Sequence, residues 1–294
     1  MKPSSARRYA TSATGEPLTI EGPEVFVDLT GIRIGGGPLL VPLVGDGADG
    51  FPAEHKARGT QVDLELRALR AALSQKSPGK VLTLHVDPRV TYRMLVELLF
   101  TVGQSGFSSL RFVVVEGGSE ARRSLSLELP NPASGAGKPL AAASAKKVLD
   151  ELDGLSMKAL GAGAGTAPKG PMPTPSAPPV APFVCGSSPL SLSVVVATQG
   201  FYVKALSASI GPGCASFGAG PTVPPLGDRQ DFSALRVCVV KLHDCHPSYA
   251  SDGVVRVGMN RSSDFQRLVS TWDAVRRRED GKPLMPDLQL TVPD

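Results

Sequence analysis

Part of this chain is written twice. Sliding the sequence by 173 residues lays Tyr92 on Phe265, Leu95 on Leu268, Val96 on Val269, Leu99 on Trp272 and Val102 on Val275, without a gap. The matched positions recur every three or four residues, the spacing of an amphipathic helix face. At the same shift Asp87 falls on Asn260. Both stand between a strand and a helix, where a short polar side chain can satisfy free backbone N–H groups. Ser263 with Gln266 makes a capping-box pattern in the second copy. A duplication predicts two copies of one unit; the competing reading is two unrelated α/β units with similar cores.

Each half reads as ββαβαβ. In the first, Glu24 to Leu29 alternates as a strand, Thr30-Gly31 turns, and Ile32-Arg33-Ile34 returns. Residues 42–59 read as a Gly-rich charged loop. Val62, Leu66, Leu69 and Leu73 predict a helix ending before Ser77-Pro78-Gly79, Val81 to Val86 a strand, Tyr92 to Val102 a helix, and Phe112 to Val115 a strand. The alternation from Ser124 to Leu129 adds an edge strand. In the second half, Leu190 to Val196 and Phe201 to Ala205 are strands, followed by a Gly/Pro loop from Gly211 to Gly227. Asp231 to His243 is a helix, Gly253 to Val257 a strand, Phe265 to Val275 a helix, and Leu288 to Val292 a closing strand. The expected class is α/β, in the sense of an α+β two-layer sandwich: two domains, each with helices on one face of a small mixed sheet.

Between the halves the composition changes. Pro168, Pro171, Pro173, Pro175, Pro178, Pro179 and Pro182 follow a Gly/Ala-rich run, which suits an extended spacer and not a core. The expected organisation is a disordered arm over 1–22, a first domain over 23–130, a linker over 131–182 and a second domain over 183–294. The net charge of +4 is spread along the chain, so no electrostatic case for nucleic acid arises. No window approaches the roughly 18 apolar residues of a membrane span. Lys2, Arg7 and Arg8 lack the apolar stretch that would make them the start of a signal peptide.

The second half carries Gly200-Phe201, Gly211-Pro-Gly-Cys214, Asp231-Phe-Ser-Ala-Leu235, Cys238, Lys241-Leu242, Asp264-Phe-Gln-Arg-Leu-Val269, Asp273-Ala274 and Pro283-Leu-Met-Pro-Asp287. These resemble the periplasmic domain of the ExbD/TolR biopolymer-transport proteins, most closely the long myxobacterial forms. Residues 183–294 carry the resemblance well. Residues 22–116 carry it more weakly, through Val81-Leu-Thr-Leu-His-Val-Asp87, Thr91-Tyr92 and Gly106-Phe107. The resemblance implies a non-enzymatic, extracytoplasmic module that dimerises and engages a partner protein or peptidoglycan. It implies work beside a proton-channel subunit of the ExbB/TolQ type and an envelope-spanning protein. The family's functional aspartate lies in a transmembrane helix this sequence lacks, so no residue here is assigned to proton translocation. The expected location is periplasmic, anchored to the inner membrane through a segment missing from the sequence. A tandem pair of modules would imitate the family dimer internally or make a larger docking array; a homodimer of the chain is the other assembly the resemblance implies.

Cysteines 185, 214, 238 and 245 all lie in the second half, and an even count suits disulfides in an oxidising compartment. The resemblance implies the pair Cys214–Cys238, leaving Cys185 and Cys245 as the second pair; free buried thiols are the alternative. His243, Cys245 and His246 read alternatively as a metal site or a cysteine-dependent active site, but His246 precedes Pro247, where the helix ends and the side chains diverge. Gly35-Gly36-Gly37 lacks the context of a phosphate cradle. Asp63, Glu65 and Glu116 have no partner carboxylate at a defined separation, and Arg276-Arg277-Arg278 reads as a solvated helix C-terminus. Phe265 and Trp272 are expected in the core, with an interface as the alternative. An open sheet edge remains as a place to accept a peptide strand. No cofactor and no metal is expected.

Overall fold

The computed structural model describes residues 8–76, 81–117, 120–129, 192–205, 208–246, 254–285 and 287–291. The expected linker 131–182 and Cys185 lie outside the described residues.

The first half contributes β1 (Thr11–Ser12), β2 (Glu16–Pro17), β3 (Glu24–Asp28), β4 (Gly31–Ile34), β5 (Leu39–Pro42), α1 (Arg67–Ser74), β6 (Val81–Val86), α2 (Tyr92–Gln104), β7 (Ser109–Glu116) and β8 (Arg122–Glu128). The second contributes β9 (Leu192–Ala197), β10 (Gly200–Ala205), β11 (Ala208–Ser209), α3 (Phe232–Asp244), β12 (Val254–Met259), α4 (Phe265–Arg276) and β13 (Asp287–Thr291). Two mixed sheets result. One runs β2-β8-β7-β6-β3-β4-β5 with β1 added to β7; the other runs β11-β10-β9-β12-β13. The arrangement is the expected two-layer α+β fold.

The shared part of the two sheets is β4-β3-β6-β7 against β10-β9-β12-β13. In each copy the first two strands form an antiparallel hairpin, and the first strand also lies parallel to the third. The fourth strand is parallel to the third. Strand β6 and helix α2 fall on β12 and α4 at the 173-residue shift. The hairpins match at a shift of 169, with Asp28 opposite Gly31 in one copy and Ala197 opposite Gly200 in the other. Gly31 and Gly200 have φ of 134° and 123°, a region that residues with a Cβ rarely enter. A Cβ on Gly31 would sit 2.0 Å from the Val41 carbonyl oxygen, and one on Gly200 2.3 Å from that of Val223. Both carbonyls precede a proline, Pro42 and Pro224. A backbone constraint met by the same residue types at both places is hard to reconcile with two unrelated units.

Both central helices are buried nearly all round. In α2 the core-facing Leu95, Leu98 and Val102 are joined in burial by Arg93, Glu97 and Thr101; in α4 Leu268, Val269, Trp272 and Val275 are joined by Thr271 and Asp273. A helix packed on one sheet alone keeps a polar outer stripe. Here each outer face is covered by further chain: α2 by the segment containing Phe51 and Lys56, α4 by the N-terminal arm.

Two sequence expectations need correction. Residues 8–17 are not a disordered arm. They contribute β1 and β2, and Ala10, Ser12 and Thr14 are buried. The first helix begins at Arg67, not Val62. Ala57 N–H donates to the Glu65 carbonyl and Lys56 bridges Leu66, so the chain is still extended there, and Val62 is exposed. Its apolar side chain matches the helical spacing by coincidence.

Candidate functional site: the seam between the two units

An α-helix leaves its first four N–H groups without intrahelical partners. In α2 and α4 these groups hold the two halves together. Tyr92 N–H donates to the Ser263 carbonyl at 2.6 Å, and Phe265 N–H to the Val90 carbonyl at 2.8 Å. Arg93 N–H donates to the Arg261 carbonyl at 3.1 Å, and Gln266 N–H to the Pro88 carbonyl at 3.0 Å. The 173-residue shift carries each donor and acceptor onto its counterpart, so the four bonds form two pairs related by a pseudo-twofold. Thr91 and Asp264, themselves counterparts, face each other in an antiparallel bridge at the centre.

The remaining N-terminal amides are satisfied within each helix. Thr91 Oγ1 accepts from Met94 N–H, and Asp264 Oδ1 from Arg267 N–H at 2.8 Å. Thr91 and Asp264 are therefore the N-caps, one position beyond Val90 and Ser263. The residues expected in that role serve otherwise. Asp87 Oδ1 accepts from Arg89 N–H at 2.9 Å, and Asn260 Oδ1 from Ser262 N–H at 3.4 Å, so each braces the turn entering the seam. Burial pushes the Asp87 carboxyl up, but hydrogen bonds from Arg89 and its charge outweigh this and hold it below the usual range. Ser263 offers its carbonyl to Tyr92, and no capping box forms: Gln266 reaches the backbone of Thr11 instead. The sequence reading placed the caps where the strands end. The turns run further, and their carbonyls meet the other unit.

Side chains cross the same seam. Tyr92 reaches into the second sheet, donating its hydroxyl to the Thr291 carbonyl at 2.7 Å, and burial raises its phenol well above the ordinary value. Its counterpart Phe265 reaches into the first sheet and packs on Phe112 with ring centroids 5.4 Å apart. Trp272, on the same face of α4, meets Phe112 edge-on at 6.2 Å. Phe265 and Trp272 thus lie in the core, as expected, and that core includes the contact between the units.

Two buried carboxylates fasten the covering segments. Glu97 accepts from Phe51 N–H at 2.8 Å, from Lys56 Nζ at 2.7 Å and from Arg93 Nε at 2.7 Å. Lys56 and Glu97 side chains are 0% exposed. Burial raises the Glu97 carboxyl, against the pull of Lys56, Arg93 and Phe51 N–H, and lowers the Lys56 ammonium, against the pull of Glu97. Asp273 accepts from the Ser12 hydroxyl at 2.7 Å, Ala13 N–H at 2.7 Å and the Thr14 hydroxyl. The partners in the covering segments were not legible in the sequence, because Phe51 and Lys56 lie 46 and 41 residues from Glu97, and Ser12 lies 261 residues from Asp273.

Cys214, Cys238 and Cys245 are oxidised. Cys214 and Cys238 form a disulfide with Cα atoms 5.5 Å apart, tying the Gly/Pro loop to α3. Cys245 is also disulfide-bonded; its expected partner, Cys185, lies outside the described residues. Cys245 therefore offers no thiolate to a metal or a substrate. His243 Nδ1 lies 3.3 Å from Asp244 Oδ1, and Arg278 bonds both residues. Among the described residues no group of three or more His, Cys, Asp or Glu side chains stands close enough to hold a metal ion. Removing the Cys214–Cys238 bond by the paired change Cys214→Ser and Cys238→Ser frees a loop of 24 residues and is expected to cost about 3 kcal/mol in urea unfolding.

The other candidates are structural. Gly35-Gly36-Gly37 turns between β4 and β5 with no helix after it. Asp63 accepts from Arg58 N–H, while Glu65 pairs with Arg70 and Glu116 with Arg123. Arg276 pairs with Glu16 and Arg278 with Asp244, so these arginines form specific intramolecular pairs and not a solvated cap. A depression beside the seam, lined by Asp49, Gln61, Val62, Arg93 and Arg261, has room for about 80 Å³, far below the several hundred Å³ of typical small-molecule sites.

Comparison with protein-family profiles, curated proteins and solved structures finds no match to this chain. Among the described residues no helix is long and apolar enough to cross a membrane.

Proposed function

We propose that this protein is a non-enzymatic, extracytoplasmic partner-binding module of a proton-motive-force-driven transport or motility complex of the ExbD/TolR kind. The seam carries the reading. The sequence resemblance implies a small α/β module that dimerises, and two such units here clasp each other through four symmetric backbone hydrogen bonds. The chain thereby supplies its own dimer, leaving sheet edges and outer surfaces for neighbours: an ExbB/TolQ-like channel subunit and an envelope-spanning protein. Disulfide bonding of Cys214, Cys238 and Cys245 suits an oxidising compartment.

Alkylation of cysteines in intact cells, followed by purification of the detergent-solubilised complex, tests it. The expected result is that all four cysteines resist alkylation until reduced, and that a multispan channel subunit co-purifies. Thiols that react without reductant, or a purified complex lacking that subunit, would contradict it.

A further inference from the structure

Residues 9–17 lie in a groove that belongs to both units. One wall is β7, to which β1 adds in parallel, Thr11 opposite Val115 and Ser12 opposite Glu116. A second is β8, which pairs antiparallel with β2, Glu16 opposite Ser124. The third is α4. Gln266 makes two hydrogen bonds to the backbone of Thr11, at 2.7 and 2.9 Å, and so grips a chain of any sequence. Asp273 is selective. A carboxylate only accepts, and its three donors are an amide and the hydroxyls two residues apart, Ser12 and Thr14. Shape adds two further conditions. Ala10 is fully buried, and a Cβ on Gly15 would lie 2.5 Å from Arg123 Cβ.

We propose that this groove is a peptide-binding site, occupied in cis by the chain's own arm, and that it accepts in trans an extended peptide presenting Ala-x-Ser-x-Thr-Gly in the register of Ala10 to Gly15. The arm is suited to exchange. It is held by two short pairings of two residues each and by side-chain bonds, the kind of segment that opens well before the fold does. A phosphate on either hydroxyl would bring negative charge against Asp273, so the phosphorylated peptide is excluded. The proposal names a partner chemistry for the partner-binding reading and rests on that reading for its setting.

The test uses the full chain carrying Ser12→Ala and Thr14→Ala, and a synthetic peptide of residues 8–17. Trp272, the sole tryptophan, adjoins Asp273 and reports binding by its emission. The Ala13 amide is expected to exchange on the order of 10–100-fold faster in the variant, since two bonds to a charged acceptor are lost. The variant is expected to take up one peptide per chain. Unmodified chain, whose own arm competes, binds at least about 10-fold more weakly, as follows from mass action. Adding Asp273→Asn abolishes uptake, and the phosphorylated peptide does not bind. An Ala13 amide that stays protected in the variant, or a folded variant that releases its arm yet takes no peptide, would overturn the proposal. Such a failure leaves the extracytoplasmic reading standing, since cysteine alkylation and co-purification decide that separately.

Discussion

Replacing Glu97 with alanine is expected to destabilise the protein by about 3–5 kcal/mol, because it strands a buried ammonium. Lys56 Nζ would keep one partner, the Gln61 carbonyl at 2.9 Å, and Phe51 N–H would lose its acceptor. The paired change Glu97→Leu with Lys56→Met is expected to cost less, since it removes the two fully buried charges and their desolvation and leaves Arg93 its bond to the Gln61 carbonyl. Denaturant unfolding of the three proteins checks this; equal losses for the single and paired changes would contradict it. Lys56→Met alone adds a pH signature. Burial holds the Glu97 carboxyl above the ordinary value of 4.5, and losing the Lys56 charge raises it further. A group whose folded pKa is raised contributes stability below its unfolded pKa and loses it as pH rises through the folded value. The penalty of Lys56→Met should therefore shrink as pH falls from neutrality toward 4.5.

Trp272→Ala is expected to cost a similar amount, about 3–5 kcal/mol, through the cavity left by the largest buried side chain. Its informative feature is what the loss couples to. Phe112 belongs to the first sheet and Trp272 to the second unit, and their rings meet at 6.2 Å. If the units share a core, Phe112→Ala and Trp272→Ala should be non-additive, with a coupling of about 0.5–3 kcal/mol in a double-mutant cycle. Additive losses would mean that the two units are energetically separate.

The parts of the fold written in local periodicity were legible in the sequence. Strand β6 and helices α2 and α4 carry the 173-residue repeat, and α4 follows the spacing from Phe265 to Val275. The turns at Thr30-Gly31 and Gly200 were legible from their glycines, but what fixes glycine at both is the approach of the Val41 and Val223 carbonyls, which excludes a Cβ. The seam was not legible. Its bonds use backbone groups of Val90 and Ser263, which carry no residue-type signature, and its side chains look like ordinary core. The arm reads as polar and small because its fastening on Asp273 spans most of the chain. One signal did exist. The run from Met94 to Val102 is too apolar around its circumference for a helix covered on one side, and Glu97 within it called for a buried cation.

Hydrogen exchange at Tyr92, Arg93, Phe265 and Gln266 is the most direct test of the paired architecture. These are the first two amides of α2 and α4, positions that no bond within their own helix can protect. Two units clasped about the pseudo-twofold predict that all four exchange slowly, alongside the interior of each helix. Exchange at the rate of an unstructured chain, with the helix interiors still protected, would mean that the units fold but do not hold each other.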